Sequence, residues 1–404
     1  RRPPPAAPKA PEPPPASEGD DSFRSPDAED GFAELRGFCD GLAPPNDAEF
    51  AARRRLLAEF LRARDLGAWV GEPGPNVAYL WGAELHRSER PILCIVRANG
   101  TSTWVVPAFE RSRLAPLAGP DTEVIGWSED VSPFETAALS PSRRTLLDGD
   151  MRLWVAEGIG RAVRGRTFAG DDPVRAARMV KSPAERALLD RANRATKAAL
   201  DAVAERLEPG MTGEDVARLT HAALGAAGLE RTWVLALVGP EAAYPHGTRS
   251  VHRIEPGLPI LVDTGGRLHG YHSDITRTFV LGRPRADVAK AYETVRRAQA
   301  AAIDALRAGV TGAAADALAR DLLEQAGYPG GFAAMTHRLG HGIGLEGHEG
   351  PYLVGTNHAA LPAFATVSVE PGIYLPGRFG VRIEDIVEIR EDGAHVYGPR
   401  ARPL

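Results

Sequence analysis

The sequence predicts an α+β protein in which a domain of two related α+β halves around a cleft follows a smaller α/β domain. Three features carry this reading. LEPGMTGEDVARLTHAALGAAG, starting at Leu207, recurs as LRAGVTGAAADALARDLLEQAG at Leu306, an offset of 99 residues. Short apolar strands alternate with helical segments through the first part of the chain. A hairpin, LVDTGGRLHGYHSDITRTF, carries Asp263 and Asp274 on what should be its inner face. A period this long, present only twice, is too large for a solenoid repeat. It fits duplicated half-domains whose walls meet at a cleft.

The elements follow in order. Residues 1–30 are Pro- and Ala-rich, then acidic, without apolar periodicity, and should form a disordered, extended spacer. The chain starts without Met. A Pro-rich spacer behind a cleaved export signal and a trimmed chain both produce such a start; the tail tips the balance slightly toward export over a cytoplasmic location. Residues 31–175 should form the first domain. From near Ala48, apolar residues Phe50, Leu56, Leu57, Phe60 and Leu61 make a helical stripe stopped by Gly67. Strands are expected at AWVG, NVAYLWG, PILCIVR and STWVVP. HRSERP, residues 86–91, reads as a charged turn, either plain surface or a segment reaching a neighbouring subunit.

Residues 176–404 should form the second domain. Ser182-Pro183-Ala184-Glu185 is a capping box with Pro at the first helical position. A long helix should run from it and end before Pro209-Gly210. Each repeat copy then has a Gly turn, a Thr-Gly helix start, an amphipathic helix ended by Gly228 or Gly327, and a β-rich stretch.

Composition narrows the function. Of 404 residues, 43% are hydrophobic and 25% charged, ordinary for a soluble globular protein. A net charge of −5 offers no basic surface for nucleic acid. No apolar run approaches the ~20 residues of a membrane helix. Cys39 and Cys94 form no metal-type cluster; free thiols and a single bridge both remain open.

The chemistry concentrates on acidic residues with apolar flanks. Asp263 follows Ile260-Leu261-Val262, and Asp274 opens an alternating strand. THRLGHGIGLEGHEGP carries His337, His341, His348 and Glu349. SVEPGIY ends an apolar strand with Glu370, and GVRIEDIVEI places Glu384 and Asp385 in another strand. Singly, Asp263 before Thr-Gly-Gly reads as a turn residue, Glu370 before Pro-Gly as a cap, and Glu384-Asp385 as a solvated pair. Together, on separate apolar strands, they need a partner, because charged side chains are seldom buried without one. Oxygen donors with one imidazole suit Mn²⁺, Co²⁺ or Zn²⁺. Four carboxylates exceed the charge of one divalent ion and match two bridged ions better.

In that order, Asp263, Asp274, His341, Glu370 and Glu384 resemble the five metal ligands of the pita-bread metallopeptidases. That family includes Xaa-Pro dipeptidases (prolidases), aminopeptidase P and methionine aminopeptidase. The matching stretches span roughly residues 176–400, and the preceding domain resembles the creatinase/prolidase-like N-terminal domain of the family. The resemblance implies two divalent ions, Mn²⁺ first, bridged by Asp274 and Glu384. It implies Glu370 as proton shuttle and His246 (in YPHGTRS), His348 and His337 as further catalytic groups. Arg382 matches an arginine that orients the last glutamate. The implied substrates are short peptides cleaved before proline, and the implied assembly is a homodimer. One departure stands out: the strand before the PHG histidine, RTWVLALVG, lacks the tyrosine that proline-specific members often carry. His221, His252, His269, His272, His358 and His395 are assigned no role. The rival reading is a non-peptidase of the same fold, creatinase-like hydrolase or protein-binding module; the complete donor set weighs against it.

Overall fold

The computed structural model describes residues 30–404 except Ala169, Asp171 and Arg249. The expected spacer at residues 1–30 therefore lies almost wholly outside the described residues. Helix α1 (Asp47–Ala63) opens on Asn46, whose side chain accepts from the Glu49 amide at 3.1 Å. It ends earlier than the sequence suggests: Asp65, at φ +52°, turns the chain, and Gly67 lies inside the next strand.

A six-stranded sheet follows, in the order β4-β3-β2-β1-β5-β6. Its strands are β1 (Leu66–Gly71), β2 (Leu93–Arg97), β3 (Ser102–Pro107), β4 (Thr122–Trp127), β5 (Arg144–Leu147) and β6 (Thr167–Phe168). NVAYLWG, expected as a strand, is instead helix α2 (Pro75–Trp81). Pro75 sits in its first turn, and Gly82, at φ +71°, caps it by returning its amide to Ala78 O. An apolar run this short does not fix its own period; the Gly-Pro entry and Gly exit decided it. Small helices α3 (Arg111–Leu114) and α4 (Pro133–Thr136) fill turns of this domain, and α5 (Leu153–Ala162) covers one sheet face with Val155 and Ile159. The opposite face, with Trp69, Cys94, Val96 and Trp104, is covered by α1 and α2. Alternate residues of β1 and β2 thus face different helices, and both faces are buried.

After α6 (Pro173–Met179) comes the long helix α7 (Pro183–Ala204), with both capping-box bonds in place: Ser182 N to Glu185 Oε2 at 2.8 Å and Glu185 N to Ser182 Oγ at 3.3 Å. The first repeat gives α8 (Gly213–Ala226), β7 (Glu230–Val238), β8 (Pro259–Leu268), β9 (Tyr271–His272) and β10 (Ile275–Val280), with sheet order β10-β8-β7 and β9 on β8. Helix α9 (Ala286–Ala305) then leads to the second repeat. It gives α10 (Gly312–Gln325), β11 (Gly340–Gly342), β12 (Glu349–Leu353), β13 (Thr366–Val369), the hairpin β14 (Gly372–Leu375) and β15 (Phe379–Arg382), then β16 (Asp385–Ile389) and β17 (Ala394–Val396). The larger sheet runs β12-β11-β13-β16-β17.

The halves repeat in physical detail. Thr212 and Thr311 cap α8 and α10. The next residue, Gly213 or Gly312, abuts a strand carbonyl so closely that a Cβ would stand 2.4 Å from Ala236 O or 2.3 Å from Tyr352 O. Gly228 and Gly327 both sit at φ +90°, where a side chain is strained. One core packs α7 and α8 on β7, β8 and β10; the other packs α9 and α10 on β13 to β16. Phe32, Leu35 and Cys39, assigned by sequence to the first domain, join the core of α7 and α8 instead, because Phe32 and Leu35 find an apolar face there. Cys39 and Cys94 are separate buried free thiols. Among the described residues no helix is long and apolar enough to cross a membrane.

The hairpin that carries the aspartates is tightly packed. A Cβ on Gly265 would lie 1.9 Å from Ser273 O. Gly265→Ala should cost about 1–3 kcal/mol through overpacking, read as a lower urea midpoint at unchanged slope. Gly225→Ala, in helix α8 with nothing within 4 Å of the new methyl, should not destabilise. Equal midpoints for the two variants would refute the close approach.

Candidate metal centre

Asp263 stands in β8 directly opposite Thr276 of β10. Asp274 precedes β10, two residues before Thr276 and so on the same face. The two aspartates are therefore diagonal neighbours rather than directly opposed. The Asp274 amide donates to Asn193 Oδ1 of α7 at 3.1 Å, which fixes the start of the strand. The second half supplies the other wall. Glu370 follows β13, its amide bound to Leu339 O at 2.8 Å. Glu384 lies between β15 and β16 rather than within a strand, its amide bound to Thr276 O at 3.1 Å. That bond joins the two halves at the cluster itself.

His341 is held twice. Its amide donates to Ser368 Oγ at 3.0 Å, and its Nδ1 lies 3.0 Å from Gly342 O. A carbonyl only accepts, so Nδ1 carries the proton. Nε2 then faces the acids, 3.3 Å from Glu370 Oε1 and 3.7 Å from Asp274 Oδ2. It can hold a proton toward Glu370 or a metal ion in its place.

Ligand-type atoms converge in three overlapping sets, each within 4.8 Å: Asp263, Asp274 and Glu384; His341, Glu370 and Glu384; Asp274, His341 and His348. The structure thus brings together all five residues picked out by sequence, plus His348. The His348 ring lies against His341, centroids 3.8 Å apart. His337 is one step back: its Nε2 is 2.7 Å from the Tyr374 hydroxyl and its Nδ1 3.9 Å from Glu370 Oε2. His246 is not brought in. It is exposed in the turn after the 3₁₀ segment Gly239–Ala243, and makes no hydrogen bond or ion pair with the cluster among the described residues.

Arg382 does something other than hold the last glutamate directly. Its Nη2 grips Asp263 Oδ2 at 2.6 Å, its Nε donates to Thr276 Oγ1 at 3.0 Å, and its Nη1 donates to Tyr374 Oη at 2.9 Å. It reaches Glu384 only through Thr276, whose hydroxyl lies 2.7 Å from Glu384 Oε2. Thr276, Tyr374, Ser368 and Asn193 are absent from the sequence reading. Ser368 and Tyr374 lie in the quoted SVEPGIY stretch and Thr276 in the quoted hairpin, but nothing in their pattern marked them; Tyr374 stands in the strand paired with Arg382's own. Strand β7 lacks a tyrosine, as read; the tyrosine hydroxyl at this site is Tyr374's.

The donor set fits divalent cations. Burial, then the neighbouring acids Glu384, Asp263 and Glu370, push the Asp274 carboxyl well above its usual range. Burial and the same kind of crowding, from Glu370 and Asp263, do this to Glu384. Burial pushes Glu370 up too, but its bond to His341 and the charges of His337, His341 and Arg382 outweigh that and bring it down to about 2. Glu384 Oε1 is buried with no hydrogen-bond partner among the described residues. An unpartnered buried carboxylate oxygen is costly, and a cation relieves it. Asp385, the next residue, is the contrast. It faces away into Lys197 at 2.6 Å, Arg277 at 2.7 Å and Gln299 at 3.1 Å, and burial is outweighed so that it stays below the usual range.

The model of metallopeptidase family M24 matches residues 187–391. A protein of Mycobacterium bovis named probable dipeptidase PepE is 38% identical over 357 residues, covering 86% of this chain and 94% of its own. The Xaa-Pro dipeptidase of Pyrococcus furiosus is 35% identical over 226 residues, covering 55% of this chain and 64% of its own. Among solved structures, dipeptidase PepE from Mycobacterium ulcerans superposes with a TM-score of 0.84 at 36% identity, covering 90% of this chain and 99% of that one. The prolidase from Pyrococcus horikoshii gives 0.77 at 27% identity, covering 88% and 99%.

Two outcomes are expected. Arg382→Lys keeps a charge but cannot contact Asp263, Thr276 and Tyr374 together; metal retention against a chelating dye should weaken about 10- to 100-fold. In chelated protein, the folded-state values of Asp274 and Glu384 lie above their unfolded values, so the folded chain binds more protons and stability falls as pH rises through them. Asp274→Asn should flatten the loss of melting temperature that the parent shows as pH rises above the usual carboxylate range. A variant as pH-sensitive as the parent would contradict the assignment.

Proposed function

The chain belongs to metallopeptidase family M24, and from that premise we propose that it is a two-metal dipeptidase acting on the bond before proline. That it is a peptidase with the pita-bread fold follows from the family and the superpositions. The finer reading concerns metal count and substrate. One observation carries it: two donor triads in one buried cleft, Asp263-Asp274-Glu384 and His341-Glu370-Glu384, meet at a shared Glu384 with one oxygen unpartnered. In this reading Asp263, Asp274, His341, Glu370 and Glu384 would together hold two ions, the first triad serving one and the second the other. Mn²⁺ comes first, with Co²⁺ or Zn²⁺ able to use the same donors.

When bound, such ions supply an ionised water at neutral pH and polarise the scissile carbonyl. The chain's own residues do the rest. Glu370, charged and open to the cleft, takes the proton of the attacking water and passes it to the leaving nitrogen. Arg382 and Tyr374 hold Asp263 and His337 in register. His348 stands beside the cluster, where it can stabilise charge developing on the carbonyl oxygen. His246 is exposed and outside the donor cluster, and belongs to the proposal only as a group that a bound substrate would meet. The substrates are short peptides.

Proline specificity draws support from the Xaa-Pro dipeptidase and prolidase relatives. A second reading, a dipeptidase less tied to proline, is favoured by the longer match to PepE, whose name carries no proline. A panel of Xaa-Pro dipeptides, other dipeptides and Xaa-Pro-Xaa tripeptides, with Mn²⁺, Co²⁺ or Zn²⁺ added in turn, separates these readings. Xaa-Pro dipeptides should be cleaved fastest, Glu370→Ala should lose roughly 10²- to 10⁴-fold in kcat, and chelation should abolish turnover. Full activity after chelation, or faster cleavage of non-proline dipeptides, would defeat the proposal.

A further inference from the structure

Beyond the cluster lies a buried ionic group that the proposed chemistry does not use. Arg178, from α6, and Lys181, just after it, are almost fully buried, as is Glu349 at the start of β12. Lys181 Nζ lies 2.6 Å from Glu349 Oε1, and Arg178 Nη2 pairs with Glu349 Oε2. The same Nη2 lies 2.5 Å from Glu346 Oε2. Burial pushes the Glu349 carboxyl up, but Lys181 and Arg178 outweigh it and hold the group below its usual range. From behind, Arg178 Nη1 donates to Asn76 Oδ1 at 2.8 Å, and Asn76 Nδ2 donates to Asp148 Oδ1 at 3.0 Å and Asp172 Oδ2 at 3.1 Å. The chain of bonds runs from the first domain's sheet to the loop between β11 and β12.

The position of His348 in that loop gives the group its meaning. Glu346 and Glu349 flank His348 on either side in sequence, and one guanidinium nitrogen binds both. The His348 ring makes no hydrogen bond of its own among the described residues; it only rests on His341. Its place is therefore set by the backbone that carries it. That backbone closes tightly on the clamp: a Cβ at Gly344 would stand 2.6 Å from Glu349 Oε1 and 3.1 Å from Lys181 Cε. Gly342, next to His341, pairs directly with Glu349. Buried ion pairs add little net stability over apolar residues of similar volume. Three charged groups buried beside a loop that carries a reactive imidazole are better explained by what they fix than by what they stabilise.

We propose that Arg178 is a positioning residue for His348: seated on Asn76 and beside Lys181, its guanidinium grips the carboxylates on both sides of the histidine and fixes where the ring stands over the cluster. The inference rests on the reading of His348 as a substrate-side group. The test uses full-length, metal-loaded protein, folded content being checked by circular dichroism. Glu349→Gln and Arg178→Lys conserve volume while loosening the grip, and Asn76→Ala removes the seat without touching the loop. For the best dipeptide of the panel above, kcat/KM should fall about 10- to 100-fold in the first two variants. In a His348→Ala background the same changes should cost about twofold or less, because they act through the missing ring. Equal losses in both backgrounds would overturn the proposal.

A second readout needs no turnover. With diamagnetic Zn²⁺ added, the His348 ring signal in a histidine-labelled NMR spectrum, assigned by its loss in His348→Ala, should move in Glu349→Gln and Asn76→Ala. An unmoved signal would overturn the proposal even if the enzyme is active. A chain that cleaves no dipeptide would instead sink the substrate reading and leave the ring's position measurable.

Discussion

Charge balance in one buried cleft governs the structure. Asp263, Asp274, Glu370 and Glu384 converge, and among the described residues the one arginine bonded to any of their carboxylates is Arg382, which reaches only Asp263 directly. Like charges this close cannot all ionise without a counter-charge. The neighbouring pair Glu384 and Asp385 shows that the chain neutralises a buried acid when it needs to. Asp385 faces the helix side and receives Lys197, Arg277 and Gln299. Glu384 faces the cleft and keeps an oxygen without a partner. Two consecutive acids, one fully satisfied and one left open, mark the cleft as a place for a cation.

The duplicated architecture explains how such a cluster is assembled without strain on one element. Each half ends its capped helix at a glycine in the left-handed region and then builds a sheet whose inner face points to the cleft. The first half contributes two aspartates from one hairpin. The second contributes a histidine and two glutamates from three segments around β11, β13 and β15. The halves are sewn together at the cluster by the Glu384 amide on Thr276 O and the Arg382 carbonyl on the Thr278 hydroxyl at 2.8 Å. Cores on both sides are apolar and separate, so the polar seam between them is where the chemistry can sit.

What could be read from sequence follows from this division. The acidic positions were legible because charges with apolar flanks demand a common partner, while the choice of His341 among three histidines and of Glu384 over Asp385 came from the family resemblance. The long capped helix and the paired Thr-Gly starts were legible because capping is local. NVAYLWG was misread because its apolar spacing suits a strand as well as a buried helix, and the deciding glycines lie at its ends. Asn193, Thr276 and Ser368 were invisible because short polar residues inside apolar elements carry no pattern; only folding brings α7, β10 and β13 to one point. Arg382 was found, and the resemblance tied it to the last glutamate; in the fold it reaches Glu384 through the Thr276 hydroxyl and also grips Asp263 directly, a contact no sequence pattern announces.

The first domain is attached through the same kind of buried polar contact, beside the apolar Leu345 that packs against both its core and that of α7 and α8. Arg53 of α1 donates to Tyr79 O at 2.9 Å and lies 3.4 Å from Glu185, the capping-box acid of α7, which also accepts from Tyr271 at 2.9 Å. Asn76 of α2 reaches Arg178. An apolar interface tolerates sliding, since contact area changes gradually with displacement. Charged groups without water do not: a shift of an ångström or two leaves a donor unpaired at a cost of several kcal/mol. The domains are therefore set in one discrete arrangement; of the residues that set it, Glu185 lies in the helix that carries Asn193, and Arg178 binds the carboxylates on either side of His348. Domain placement and cleft geometry are in this way fixed by a common set of bonds.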